Sequence, residues 1–154
     1  MIRINSGILM RRPTAWARVK GSEQYPDIRG TVKFFPAGRG TVVLTELWGL
    51  PRDGFFAMHI HEKGDCSGNM EDPFANVGAH FDRDKDPHPE YSGDLPVVLS
   101  NGGYAWSAVY TDRFTPRDVM GRSVIIHLNP DDYRTQPSGA SGNKIACGRI
   151  GNRW

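Results

Sequence analysis

Apolar and polar residues alternate along short stretches of the chain, which is the pattern of β-strands that turn one face toward a core. The pattern predicts eight strands, at residues 14–20, 30–35, 41–47, 55–61, 95–99, 104–110, 123–128 and 145–150. No segment of the sequence keeps a 3.6-residue apolar period, although residues 115–120 could form one helical turn. The chain is therefore expected to be all-β.

The segments between these strands are of two kinds. Residues 36–40, 51–54 and 101–103 are short and rich in glycine, proline and aspartate or asparagine, as in tight turns between antiparallel strands. They indicate a sandwich or barrel of antiparallel strands. Two other connections, 62–94 and 129–144, are long and polar. Loops of such length in a compact domain are usually functional or disordered.

Composition narrows the class of protein. A chain of 154 residues is the size of one domain, and its 18 glycines and 11 prolines favour turns over long helices. The net charge of +2 is too small to attract a nucleic-acid backbone or an anionic membrane. Residues 1–13 are interpreted as an N-terminal arm that can be flexible, and residues 14–154 as a single domain.

The N-terminal segment and the two cysteines give information on the cellular compartment of the protein. No stretch has the features of a signal peptide or a membrane span, so a cytoplasmic location is expected for the chain as given; an extracytoplasmic one follows if a leader has been removed. Cys66 and Cys147 are either two free thiols or one bridge. The spacing alone leaves both alternatives open.

Histidines form the most informative pattern. His59 and His61 are two apart in a predicted strand, so both imidazoles are expected on one face. This pair could bind one metal ion, but two histidines on a solvated strand face are also common. His127 ends another predicted strand, and His80 and His88 lie in the loop 62–94. Because all five histidines of the chain fall on two strand ends or in one loop, a shared copper or zinc site is favoured over solvated side chains.

The segments around these residues resemble the copper/zinc superoxide dismutase family. The matching motifs occur in the family's order, from about residue 14 to residue 151: HIHEKGD at 59–65, GAHF at 78–81, GDL at 93–95, GRSVIIH at 121–127 and ACGRIG at 146–151. The resemblance implies an eight-stranded antiparallel Greek-key barrel, also described as an immunoglobulin-like sandwich, with two long functional loops. Residues 14–154 would then be one copper/zinc superoxide dismutase-like domain.

The resemblance also implies a set of site residues. The family's copper ligands fall on His59, His61, His80 and His127, and its zinc ligands on His80, His88, Asp94 and Tyr91. His80 would bridge the two metals. Asp131 matches the acid that holds one histidine of each metal, and the family's disulfide falls on Cys66 and Cys147. Asp131 could instead be an ordinary polar residue of its loop.

Tyr91 stands where the family normally has a zinc-binding histidine. Ionising a phenol at neutral pH costs about 4 kcal/mol, which only a directly bound cation is expected to offset. Three outcomes are therefore open: zinc held by His80, His88 and Asp94 with Tyr91 or water as the fourth ligand, a weakly occupied zinc site, or a site for copper alone. Zinc binding is expected to be weaker than usual for the family.

The implied activity is dismutation of superoxide to dioxygen and hydrogen peroxide by copper cycling between Cu(II) and Cu(I). His80 would release copper on reduction and carry a proton. Lys144 takes the place of an arginine beside the copper; it keeps the positive charge but lacks the planar fork of a guanidinium, so slower catalysis is expected. It could also be an ordinary surface charge.

Two other functions remain open from the sequence. One is a module that binds or stores copper with little dismutase activity, which Tyr91 and Lys144 favour. The other is an interaction domain without metal, which the intact histidine set disfavours. The expected partners are superoxide as a small anionic substrate, with no nucleic acid and no membrane, in a monomer or a homodimer.

Overall fold

The computed structural model describes residues 3–152. Over this range the chain forms nine β-strands and two short 3-10 helices, the latter at Ser6–Met10 and Ala75–Val77. The strands are β1 (Ala15–Gly21), β2 (Arg29–Ala37), β3 (Gly40–Trp48), β4 (Gly54–Phe56), β5 (Met58–His61), β6 (Val98–Ser100), β7 (Ala105–Thr111), β8 (Ser123–His127) and β9 (Lys144–Gly151).

Seven strands form one curled antiparallel sheet in the order β5-β8-β9-β1-β2-β3-β7, and β4 pairs with β6. The predicted all-β Greek-key fold is confirmed. Alternate residues of the strands point into one core, which includes Phe34, Phe56, Met58, Ile60 and Ile126. Burial of this apolar face is the main force that holds the sheet curled.

Two predicted strands differ from the structure. The strand predicted at 55–61 is divided at Ala57 into β4, which pairs with β6, and β5, which pairs with β8. At the division, the amide of Ala57 donates to the carbonyl of Asn129, and the carbonyl of Ala57 accepts from the amide of His127. The strand predicted at 95–99 begins only at Val98. Pro96 lacks an amide proton for a sheet ladder, which accounts for the late start.

The N-terminal arm is described from residue 3 onward. Its 3-10 helix lies against β2 and β3, where Ile8 and Leu9 pack on Phe35, Ala37 and Val42. Residues 1–2 of the predicted arm and residues 153–154 of the predicted domain lie outside the described residues. The flexibility of the arm and the domain boundary at residue 14 stay predictions.

The two long loops lie at one end of the sheet and approach each other across β5 and β8. The first loop (62–94) is hydrogen-bonded to the edge of β5 that faces away from β8: the amide of Ile60 donates to the carbonyl of Gly93, and the amide of Phe81 donates to the carbonyl of Ile60. The second loop (129–144) runs from β8 to β9. Among residues 3–152 no helix has the length and apolar character needed to cross a membrane.

Candidate metal centre

Adjacent strands present three of the histidines. His59 and His61 alternate with the core residues Met58 and Ile60 on β5, so both imidazoles leave the core on the same side. On the neighbouring strand β8, the register with β9 shifts after Ile126. Such a bulge redirects the side chain that follows it. Here it follows that His127 turns toward the two histidines of β5.

The first loop adds the fourth histidine. His80 forms an isolated bridge with His61, and Asp94 forms one with His59, so both loop residues sit directly beside β5. All four histidines are buried: His59 is 0% exposed and His80, the most accessible, is 8% exposed. A group of imidazoles shielded from water to this extent needs partners for its ring nitrogens.

Four ring nitrogens of this group face one another. One ligand atom from each of the four histidines (His59, His61, His80, His127) lies within 4.8 Å of the others. Nε2 of His61 is 3.4 Å from Nε2 of His127. Nδ1 of His59 and Nε2 of His80 are buried with no hydrogen-bond partner among the described residues. Neutral imidazole nitrogens converging in this way fit a copper ion, which favours nitrogen ligands.

The other nitrogen of each ring is held in place by the protein. Nε2 of His59 is 2.7 Å from a carboxylate oxygen of Asp131, and Nδ1 of His80 is 2.9 Å from Asp94. Backbone carbonyls hold the remaining two rings, through Gly78 at Nδ1 of His61 and Gly142 at Nδ1 of His127. Partners of this kind set the tautomer and orientation of a ligand before the metal arrives.

Three of the four histidines of this group have lowered pKa values. Burial lowers the pKa of His61 to about 3, and burial also lowers the pKa values of His59 and His127. Asp131 is buried, which by itself raises the pKa of its carboxyl, but hydrogen bonds from His59, from the amide of Tyr133 and from His88 bring it down to about 2. At neutral pH His59, His61 and His127 are therefore uncharged imidazoles, the form that binds metals.

A second group shares His80 with the first. His80, His88 and Asp94 each place a ligand atom within 4.8 Å of the others. The two oxygens of Asp94 lie 2.9 Å from Nδ1 of His80 and 2.8 Å from Nδ1 of His88. Nε2 of His88 is 2.9 Å from Asp131, which thereby connects both groups. Two imidazoles and a carboxylate are a donor set that suits zinc.

Tyr91 lies beside this second group. Its ring centroid is 5.7 Å from that of His80 and 5.9 Å from that of His88. Arg113 donates hydrogen bonds to the carbonyls of Pro89 and Tyr91, which fixes the backbone here. The phenol therefore borders the predicted zinc group, and only its hydroxyl could serve as a ligand.

The disulfide ties the first loop to the sheet. Cys66 and Cys147 form a bond with a Cα–Cα distance of 5.8 Å across a sequence separation of 81 residues. Of the two alternatives left open by the spacing, the bridge is confirmed. Cys147 lies on β9 three residues after Lys144, and the ammonium group of Lys144 forms an ion pair with Asp72.

Comparison with known proteins agrees with this geometry. Residues 28–150 match the family model described as copper/zinc superoxide dismutase (SODC). The chain is 34% identical over 144 residues to a superoxide dismutase [Cu-Zn] of Deinococcus radiodurans, covering 82% of this chain and 79% of that protein. An extracellular superoxide dismutase [Cu-Zn] of Drosophila melanogaster is 31% identical over 143 residues, covering 81% and 76%. A Cu/Zn superoxide dismutase structure from Brucella abortus superposes with a TM-score of 0.76 at 25% identity, covering 88% of this chain and 98% of that one.

The chain belongs to the copper/zinc superoxide dismutase family. Copper and zinc are therefore its metals, and the two groups described above are where the chain could hold them. The alternative of an interaction domain without metal, which the sequence already disfavoured, is not supported, because both groups of ligand atoms are present.

Several residues of this family member's site were not found from the sequence. The carbonyls of Gly78 and Gly142 orient two histidines, but a backbone acceptor leaves no residue-type signal. Gly142 has a φ of 72°, a backbone conformation that favours glycine. The presence of glycine at this position is therefore the only signal of this carbonyl that the sequence could carry. Asp72 is an ordinary loop acid in the sequence, and only the structure brings it to Lys144.

Proposed function

We propose that this chain disproportionates superoxide at a copper ion held by His59, His61, His80 and His127. The observation that carries the proposal is the convergence of four imidazole nitrogens within 4.8 Å while the opposite nitrogens are oriented by other groups. Bound copper would supply the electron chemistry, taking one electron from a first superoxide to give dioxygen and passing it to a second that leaves as hydrogen peroxide. The protein supplies a ligand set whose rings are held in orientation by hydrogen bonds.

His80 has two roles in this proposal. Nδ1 faces Asp94 and the zinc group, whereas Nε2 faces the copper group and has no hydrogen-bond partner among the described residues. Whenever Nε2 is not bound to a metal, it can hold a proton beside the cavity that Lys144 and His127 also line. Hydrogen peroxide takes up two protons. We assign one of them to His80, which then acts as proton donor as well as ligand, and the other to solvent.

Lys144 is proposed to attract the substrate anion. It begins β9 opposite His127 and lines an open cavity of about 1450 Å³ together with His61 and His80. An ammonium group there would draw superoxide toward the copper nitrogens. It can donate several hydrogen bonds but lacks the paired, planar donors of a guanidinium, so turnover slower than that of an arginine-bearing relative is expected.

For the second group we propose zinc bound by His80, His88 and Asp94, with the hydroxyl of Tyr91 or water as the fourth ligand. Asp131 supports both metals, because its two oxygens face Nε2 of His59 and Nε2 of His88. Zinc at this position would orient His80 and stiffen the first loop. A phenol is the weakest member of the set, so zinc retention is expected to be below that of a four-ligand site with three histidines.

Metal content and dismutase rate, measured on the same preparation before and after adding copper and zinc, test the main proposal. Bound copper and a large acceleration of superoxide decay are expected together. His59→Asn serves as the comparison: it should lose copper and activity, because it removes a copper ligand. A fully copper-loaded chain that leaves superoxide decay unchanged would refute the dismutase function and favour copper storage, which the engagement of Lys144 by Asp72 supports.

The compartment and the assembly are also proposals. We infer an extracytoplasmic location rather than a cytoplasmic one, supported by the Cys66–Cys147 disulfide and by the extracellular relative. Cell fractionation tests this, and recovery of the protein in the cytoplasm would contradict it. Light scattering distinguishes the monomer from the homodimer.

A further inference from the structure

The ion pair of Lys144 with Asp72 has a direct bearing on substrate entry. The Lys144 side chain is 18% exposed and lies on the wall of the cavity that His61, His80 and His127 also line, where a superoxide ion would meet it. Its ammonium group contacts the Asp72 carboxylate instead. A carboxylate in contact cancels most of the attraction that a lysine exerts on a second anion.

Asp72 is held in position by its own turn. One carboxylate oxygen accepts a hydrogen bond from the amide of Phe74 at 3.0 Å, and the other contacts Lys144. The carbonyl of Asp72 accepts from the amides of Asn69 and Ala75. Phe74 in turn packs on the disulfide cysteine Cys147. Hydrogen bonds within the turn therefore hold the Asp72 carboxylate in contact with Lys144.

The remaining charges around the cavity do not replace Lys144. Besides Asp72, four acidic side chains line it, namely Glu23, Glu62, Glu71 and Asp82. Arg122 is the other cation of the lining, but its guanidinium lies 3.7 Å above the ring of Phe81. It also donates to the carbonyls of Asp118 and Glu62. Lys144 is thus the cation of the lining that an entering anion could use.

We propose that Asp72 competes with anions for Lys144 and so sets how readily superoxide reaches the copper. An anion contacts the ammonium group of Lys144 only when it displaces the Asp72 carboxylate, and this competition slows entry. This inference rests on the proposed function, since it concerns the same cavity. The competition for Lys144 would lower the rate of superoxide entry in addition to the effect of having lysine in place of arginine.

The test uses Asp72→Asn in the copper- and zinc-loaded protein, with azide as the anion probe. The amide keeps the oxygen that accepts from Phe74, so the turn should persist, while the negative charge is removed. We expect azide to bind about fivefold more tightly, measured by its absorption band with copper, and the superoxide rate constant to rise by a similar factor. Both gains should shrink as ionic strength increases.

Glu71→Gln is the matched control. Glu71 precedes Asp72, lines the same cavity and loses the same charge, but has no ion pair with Lys144 among the described residues. It should change azide affinity much less than Asp72→Asn. An equal gain in the two variants would overturn the proposal, because the effect would then be one of general charge.

A double variant isolates the contact. In a Lys144→Gln background, Asp72→Asn should leave azide affinity almost unchanged, and the same gain there would contradict the proposal. Asp72→Ser, which can still accept from the amide of Phe74, repeats the test if the asparagine variant folds poorly. Azide binding does not require turnover. An inactive wild type therefore counts against the dismutase function, whereas an unchanged azide affinity counts against the role of Asp72.

Discussion

In the group formed by His59, His61, His80 and His127, both ring nitrogens of each imidazole have a defined position. One nitrogen faces the other histidines, and its opposite is fixed by Asp131, by Asp94 or by a backbone carbonyl. The hydrogen bonds orient the rings, and burial lowers the pKa values of His59, His61 and His127. The fold thus orients the four rings of this group toward one another.

Tyr91→His should strengthen zinc binding. The tyrosine ring already lies 5.9 Å from that of His88, so a histidine at this position could offer a neutral nitrogen where the phenol must first ionise. The fraction of zinc that survives dialysis against a mild chelator should rise, and the melting temperature of the zinc form with it. Tyr91→Phe is the control and should retain no more zinc than the wild type; retention of one tightly held zinc by the wild type itself would contradict the prediction.

Strand β5 connects the sheet to the first loop, because one of its edges pairs with β8 and the other is hydrogen-bonded to that loop. On one edge it pairs with β8, and on the other it is bonded to the first loop through Ile60, Phe81 and Gly93. The same strand therefore contributes Met58 and Ile60 to the core and His59 and His61 to the metal group. A displacement of the loop from this edge would move Asp94 and His80 together.

Gly93→Ala should produce such a displacement. A Cβ at Gly93 would lie 2.3 Å from the carbonyl oxygen of Ile60, a backbone atom that cannot move without breaking the pairing. We expect a loss of stability of about 1–3 kcal/mol, as for other overpacked sites, together with weaker zinc binding because Asp94 is the next residue. Denaturation curves and zinc titration measure the two effects. Gly151→Ala, where a Cβ meets nothing within 4 Å, should leave both unchanged, and equal effects in the two variants would contradict the explanation.

Across the whole molecule, the disulfide links the loop that carries Asp72 and His80 to the strand that begins with Lys144. Cys66 and Cys147 pack with Phe74, Val77 and Ile125 in a small core of their own. The bond therefore connects the turn at 67–77, which carries Asp72, to strand β9, which begins with Lys144.

Replacing both cysteines by serine should loosen this region and destabilise the protein. Closing a loop over 81 residues is worth about 4–5 kcal/mol in the chain-entropy model, and removal of native disulfides typically costs about 2–5 kcal/mol. Hydrogen exchange at the amides of Phe74 and Asn76 should speed up more than that of β2 and β3. Equal acceleration everywhere would show that the bond stabilises the fold globally rather than this loop.

Strand positions were largely predictable, because alternation of apolar and polar residues follows directly from the pleat of a half-buried strand. The prediction was wrong where a local feature interrupts the ladder, at Ala57 and before Val98. The histidines could be assigned to metals only through their grouping and their likeness to a known family. Neither gave any indication of Asp72, whose partner Lys144 lies 72 residues away in the chain.

The amino-acid pattern alone therefore determined an all-β domain, the faces of its strands and the residue types available as ligands, since these depend on local periodicity and side-chain chemistry. The distances among the ligand nitrogens, the carbonyls that orient them, the choice between free thiols and a bridge, and the engagement of Lys144 by Asp72 were decided by tertiary structure. These features depend on which distant segments the curled sheet brings together, and contacts between distant segments leave no periodic trace in a single sequence.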